Sequence, residues 1–154
     1  MKRLMTLCGF ALTMSVATLH AQQTPAACSN ATLDGTYGIN LSGTWAAPSV
    51  LPDSVFVPGH IEQMIGVVIQ TFDGKGSFTQ TNNIKGEVSG IIANYPASGT
   101  YTINANCTGT FTLTDNEWPV PIITQIVIVN SGAQIRGVVV APQLMMVVVN
   151  GIKL

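Results

Sequence analysis

Short runs of Thr, Val and Ile follow one another along the chain, and Gly, Asn and Pro separate them. No window has apolar positions at the spacing of an amphipathic helix, whereas runs of β-branched residues between turn residues are typical of strands. In the first run, residues 36–45, apolar positions from Tyr37 to Leu41 alternate with small or polar ones, which predicts a half-buried strand. Asp34-Gly35 before this run predicts a turn.

Two pairs of runs predict antiparallel hairpins. Residues 63–72 and 77–84 flank residues 73–76, Asp-Gly-Lys-Gly, and Asp-Gly between apolar-rich runs is a strong hairpin signal. Residues 100–104 and 108–114 alternate strictly, with threonine at nearly every second position. Their apolar face consists of Tyr101, Ile103, Phe111 and Leu113. Such alternation predicts one face in the core and one face in water.

Prolines limit two further stretches. Residues 46–60 contain three prolines, which leaves no room for a central strand, so we predict a long loop there. Long loops at the mouth of a barrel often carry function. Residues 88–93 predict a short strand, and Pro96 is the break that follows it.

The last third of the chain is apolar on both faces of its predicted strands, residues 122–129, 134–141 and 144–150. Six valines there cannot all face one small interior: Val127, Val129, Val138, Val140, Val147 and Val149. Exposed apolar patches of this size usually mark an interface. We therefore expect a second subunit to cover this side in a homo-oligomer, and the alternative is coverage by the proline-rich loop.

Seven or eight short strands with regular turn signals predict an all-β fold. The two architectures that fit are a single antiparallel up-and-down barrel and a β-sandwich. A barrel has no edge strands, which matters for a β-prone chain with only 8% charged residues. We therefore predict the barrel and keep the sandwich as the alternative.

The N-terminus has the layout of a secretory signal peptide. Met1-Lys2-Arg3 precedes an apolar run over residues 4–19, and Ala21 provides a small residue at the cleavage position. A membrane anchor is the alternative, but the run is short for a span and no charged stop follows it. We predict a signal peptide at 1–21, a barrel domain at 22–154 with no transmembrane segment, and a secreted or periplasmic location.

Cleavage at this position would leave two cysteines, Cys28 and Cys107. An exported chain with two cysteines usually pairs them, so we predict a disulfide, with two free buried thiols as the alternative. A single histidine, His60, would remain, which argues against a zinc site. We predict no metal.

Charge and motifs narrow the function further. A net charge of −1 provides no basic patch for nucleic acid, and 47% hydrophobic residues exclude a disordered chain. The sequence lacks a Gly-x-Ser-x-Gly elbow, a phosphate-binding loop, a dinucleotide fingerprint and His-Glu-x-x-His. We therefore assign no catalytic residue and no cofactor.

Four short motifs are spread along the predicted domain: LDGTYG at 33–38, FDGKGSF at 72–78, GTYTIN at 99–104 and CTGT at 107–110. Together they resemble a family of small secreted bacterial proteins of uncharacterised function. That family is similar to the eight-stranded barrels of the lipocalin and allene-oxide-cyclase kind. The resemblance implies an apolar central cavity but transfers no activity, because fold alone does not specify function.

Five residues are candidates for a ligand site. Tyr37, Tyr101 and Phe111 would line a cavity, with the hydroxyls as polar handles, and the alternative is ordinary core packing. Arg136 lies in an otherwise apolar strand and has Glu87 as a possible distant partner. A buried arginine there would orient an anionic ligand head, and the alternative is an outward, solvated side chain.

His60 and Glu62 are a further candidate pair. They are two residues apart, so on a strand they would share a face and could act as an acid–base pair. The alternative is a solvated loop end beside Pro58-Gly59.

Three functions fit these observations. We rank first a binding module that holds an apolar small molecule in the barrel interior. The second is a structural or surface-interaction protein that uses the apolar flank at residues 122–149. The third is a cyclase or isomerase that moulds a flexible substrate in a dry cavity with few polar groups.

Overall fold

The computed structural model describes residues 27–46, 61–114 and 120–154, and these form one closed barrel of eight antiparallel strands. The strands are β1 Asp34–Ala46, β2 Ile61–Asp73, β3 Ser77–Gly86, β4 Gly90–Ile103, β5 Thr108–Thr114, β6 Ile122–Val129, β7 Gln134–Ala141 and β8 Met146–Lys153. Each strand pairs with the next, and β8 pairs with β1. The predicted barrel is confirmed. The predicted signal peptide at 1–21 and residues 47–60 of the proline-rich loop lie outside the described residues.

Strand β4 corrects one prediction. The short strand expected at residues 88–93 and the run at 100–104 are parts of one strand that passes through Pro96. β5 pairs with β4 only from Ser98 onwards, so the missing N–H of Pro96 removes no ladder hydrogen bond on that side. A bulge between β3 and β4 lies next to this segment, where Asn94 has a φ of 54°.

One half of the interior is filled by an aromatic cluster, which consists of Tyr37, Phe72, Phe78, Tyr101 and Phe111. Phe72 is its centre. The ring centroids of Tyr37, Tyr101 and Phe111 lie 5.1–5.2 Å from that of Phe72, and the two tyrosines meet it edge-on. Such T-shaped contacts are favourable because the positive ring edge meets the negative ring face.

The N-terminal segment closes the barrel beside the aromatic cluster. Cys28 and Cys107 form the predicted disulfide, which is confirmed, and their Cα atoms are 4.9 Å apart. The Tyr101 hydroxyl donates to the carbonyl oxygens of Asn30, at 3.1 Å, and of Leu33, at 2.9 Å. The Leu33 side chain is fully buried in the same core. We call this the disulfide end of the barrel.

The outer surface has two different sides. On β3 and β5 the outward side chains are mostly Thr and Ser, as the strict alternation predicted. On β2, β7 and β8 they are largely aliphatic and half exposed or more: Ile65, Val67, Ile69, Val138, Val148 and Ile152. We call these six residues the outer apolar face. The prediction that the valines of the last third cannot all point inward agrees with their placement.

Candidate ligand cavity

A cavity of about 110 Å³ lies inside the barrel, between the aromatic cluster and the end opposite the disulfide. Phe78 and Phe111 of the aromatic cluster contribute to its wall. The remaining wall is mainly aliphatic and includes Leu41, Met64, Ile84, Ile122, Val139 and Val147. The inward side chains in this half are mostly aliphatic or amide groups, with Trp45 and Tyr95 as its aromatic residues, whereas five packed aromatic rings fill the other half.

Three amide side chains interrupt the apolar wall. Gln70 on β2 lies opposite Gln80 on β3, and Asn82 follows on the same face of β3. Gln80 Nε2 donates to Asn82 Oδ1 at 2.8 Å, and Asn82 Nδ2 donates to the carbonyl oxygen of Tyr95 at 3.1 Å. Gln70 is only 4% exposed, and its Nε2 atom has no hydrogen-bond partner among the described residues.

A buried carboxylate lies beside the cavity. Trp45, which lines the cavity, donates from Nε1 to Glu62 Oε1 at 2.9 Å. Glu62 Oε2 accepts the backbone N–H groups of Val88 and Ser89 at the β3–β4 turn. Burial raises the pKa of the Glu62 carboxyl, but the hydrogen bonds from Ser89, Val88 and Trp45 outweigh it, so the pKa is lowered. The carboxylate therefore ties β1, β2 and this turn together.

The structure separates the five candidate ligand residues. Phe111 lines the cavity. Tyr37 and Tyr101 lie in the aromatic cluster at the disulfide end, and neither is part of the cavity wall. Glu87 is exposed at the β3–β4 turn. Arg136 is exposed on the outside of β7, where its guanidinium donates to Asn150 Oδ1 at 2.7 Å, so it is the outward arginine of the alternative interpretation.

The two buried tyrosines hold the disulfide end together. The Tyr37 hydroxyl donates to the carbonyl oxygen of Gly132, which belongs to the turn between β6 and β7. Burial raises the pKa of Tyr37 and of Tyr101, and Asp34 and Asp73 respectively add to the effect. Both phenols therefore remain protonated donors at neutral pH.

The burial of Glu62 decides one part of the interpretation of the His60–Glu62 pair. The alternative of a solvated loop end is wrong for Glu62, which is 2% exposed and accepts the three hydrogen bonds described above. His60 lies outside the described residues, so the acid–base pair stays a prediction. A carboxylate with a lowered pKa and several donors is a weak general base near neutral pH.

The amides Gln70, Gln80 and Asn82 are the polar cavity residues that sequence reasoning missed. A signal for them exists, because Gln80 alternates in phase with Phe78 and Gln70 with Phe72. An amide on the same face as a core aromatic is a candidate buried polar group.

Within the part of the chain that the structure describes, no three His, Cys, Asp or Glu side chains are grouped so that they could hold a metal ion. In that same part, no helix is long and apolar enough to cross a membrane. No family model, curated protein or solved structure matches the chain. The function must therefore be argued from the cavity itself.

Proposed function

We propose that this protein is a secreted or periplasmic β-barrel that binds a small apolar molecule in its interior cavity. The observation that supports this proposal is the cavity of about 110 Å³ next to the aromatic cluster, which has a mainly aliphatic wall. Protein interiors are otherwise packed like organic crystals, with few voids larger than a water molecule. A space of this size is therefore a specific feature of the fold.

The volume limits what can bind. An engineered apolar cavity of about 150 Å³ stays dry and binds benzene. A cavity of about 110 Å³ therefore suits a compact molecule of roughly six or seven heavy atoms, or one end of a longer molecule.

Two observations support an exported location. The first is the Cys28–Cys107 disulfide, since such bonds persist in oxidising compartments. The second is the signal-peptide layout of residues 1–21. The resemblance to secreted barrels of the lipocalin and allene-oxide-cyclase kind supports the same proposal.

A cyclase or isomerase is the weaker proposal. Such an enzyme can work with few polar groups, but at least one of the four polar or charged candidate residues should then lie in the cavity wall. Tyr37, Tyr101, Glu87 and Arg136 are all absent from the described wall of the cavity. The polar side chains of that wall are amides, Thr124, Tyr95 and the Trp45 indole, and the described wall contains no carboxylate and no basic side chain.

Fluorescence of Trp45 tests the proposal. The chain has two tryptophans, so Trp118→Phe leaves Trp45, in the cavity wall, as the reporter. We expect a saturable change in its emission when benzene or methylenecyclohexane is added. Val147→Phe should abolish the change because Val147 lines the cavity, whereas Val148→Phe, on the outer face of the same strand, should not.

Two results would reject the binding proposal. One is the absence of any saturable change in the Trp118→Phe protein. The other is an equal response in the Val147→Phe and Val148→Phe proteins, which would place the probe outside the barrel.

The outer apolar face supports a second candidate function, association with another copy of this chain. The register places Ile65, Ser42, Val148 and Val138 in one row across β2, β1, β8 and β7. Arg136 is the only charged side chain in the middle of these four strands, and interface cores are poor in charge except for arginine. Stable interfaces hide about 800 Å² per partner, so the β1 residues between β2 and β8, such as Ser42, would also have to lie in the contact.

Sedimentation equilibrium tests this association. We expect a dimer that Val148→Lys dissociates, because a buried lysine without a partner is strongly unfavourable. Thr79→Lys, on the outer face of β3, is the matched control and should leave the dimer intact. A monomer at every concentration would reject the second candidate.

A further inference from the structure

The surroundings of the Gln70 side chain limit the chemical class of the ligand, which the cavity volume alone does not. Its side chain is 4% exposed and contributes to the cavity wall from the middle of β2. The Nε2 atom is buried and has no acceptor among the described residues. A buried N–H donor without an acceptor is unfavourable, so buried polar groups in folded proteins nearly always have a partner.

The neighbouring amides are already committed to each other. Gln80 lies opposite Gln70, and its Nε2 donates to Asn82 Oδ1. Asn82 in turn donates from Nδ2 to the carbonyl oxygen of Tyr95. This chain of hydrogen bonds runs away from Gln70. Among these three amides of the described cavity wall, Gln70 is therefore the one whose buried Nε2 has no hydrogen-bond partner.

The charged side chains of the protein then limit which acceptor group of a ligand could bind Gln70. After residue 21 the chain has four basic residues, Lys75, Lys85, Arg136 and Lys153, and all four are exposed. No basic side chain lies in the described cavity wall, and the nearby Glu62 has a lowered pKa and remains ionised. An anionic head group would lose its hydration without gaining a cationic partner.

We propose that the ligand has a neutral hydrogen-bond acceptor, such as a ketone, ester or ether oxygen, that binds Gln70 Nε2. Its apolar part then occupies the aliphatic space between Met64, Val139 and Val147. This inference rests on the proposed binding function and adds to it the chemical class of the ligand. It also excludes carboxylates as head groups inside the cavity.

Cyclohexanone and methylenecyclohexane test the inference because they have the same shape and differ only in C=O against C=CH₂. Their dissociation constants are measured by NMR titration with the wild type and with Gln70→Leu. We expect Gln70→Leu to weaken cyclohexanone about tenfold, the upper range for one neutral hydrogen bond, and to leave methylenecyclohexane unchanged or tighter. Comparing each probe with itself cancels the difference in hydration between the two molecules.

The matched control is Gln63→Leu, the same substitution on the outer face of β2, which should change neither dissociation constant. If Gln70→Leu does not fold, the infrared C=O stretch of bound ¹³C-cyclohexanone in the wild type decides. A shift to lower wavenumber than in hexane supports the hydrogen bond, and a hexane-like frequency rejects it.

The outcomes separate the two proposals. If both probes bind and Gln70→Leu affects them equally, the acceptor class is rejected while the binding function stands. If sodium hexanoate binds the wild type more tightly than cyclohexanone, the neutral head group is wrong. If neither ring binds the wild type, both proposals fail.

Discussion

Loss of the Cys28–Cys107 disulfide should cost this barrel a large part of its stability. The two cysteines are 79 residues apart in sequence and join the N-terminal segment to the β4–β5 turn. In the chain-entropy model, a closed loop of this length stabilises the folded state by about 4.5 kcal/mol, because it restricts the unfolded chain. Single domains are typically stable by about 5–15 kcal/mol in total.

The assay is urea unfolding of residues 22–154 under oxidising and reducing conditions, with Cys28→Ala/Cys107→Ala as a third sample. With m values of about 1–3 kcal/mol/M, the loss corresponds to a fall in the midpoint of roughly 1.5–4.5 M urea. Reductant should not change the double variant, which controls for effects unrelated to the disulfide.

The reasoning would be refuted by a difference below about 1 kcal/mol between oxidised and reduced protein. Such a result would mean that the cross-link restricts the unfolded chain far less than the chain-entropy model requires, because the reduced unfolded chain retains structure. A reduced wild type that differs from the double variant would also contradict it.

Three further predictions concern the core and the buried carboxylate. Phe72→Ala should lower the free energy of unfolding by about 3–5 kcal/mol, since aromatic rings surround Phe72, and a loss below about 1 kcal/mol in urea would contradict the packing described. Gly99→Ala should cost about 1–3 kcal/mol in the same assay, because a Cβ there would lie 2.2 Å from the Thr112 carbonyl oxygen, and a neutral effect would reject that close approach. The folded-state pKa of Glu62 is lowered, so its stabilisation is present above the unfolded pKa and is lost as the pH falls through the folded one. The free energy of unfolding should therefore fall less steeply with decreasing pH in Glu62→Gln. The comparison is made in an Asp73→Asn background, because Asp73 also has a lowered pKa. An unchanged slope would exclude Glu62 as a contributor.

The alternation of side chains predicted the strands β3 and β5 because each has one polar face, and the low charge of the chain then favoured a barrel without edge strands over a sandwich. At Arg136 the same reasoning left two orientations open, a buried side chain and an outward one. Because apolar residues occupy both faces of β7, the sequence pattern does not show which face points inward. Only the pairing with β6 and β8 shows that Arg136 points outward.

The position of an inward side chain along the barrel axis is the second property that the alternation does not predict. Tyr37 and Tyr101 point inward as predicted, but they lie at the disulfide end rather than beside the cavity. Which inward residues lie at one level depends on the tilt and stagger of the strands, and these follow from the register of all eight pairs. Pro96 shows a related limit, since a proline ends a strand only where its N–H would have been needed.

The central claim is that the cavity above the aromatic cluster holds a small neutral molecule. Native mass spectrometry of the protein purified from its producing cells tests this most directly. The account predicts an added mass of a small, uncharged, oxygen-containing compound that is lost on denaturation and is absent from Val147→Phe. A bare polypeptide mass in the wild type under gentle conditions, equal to the mass after denaturation, would contradict it.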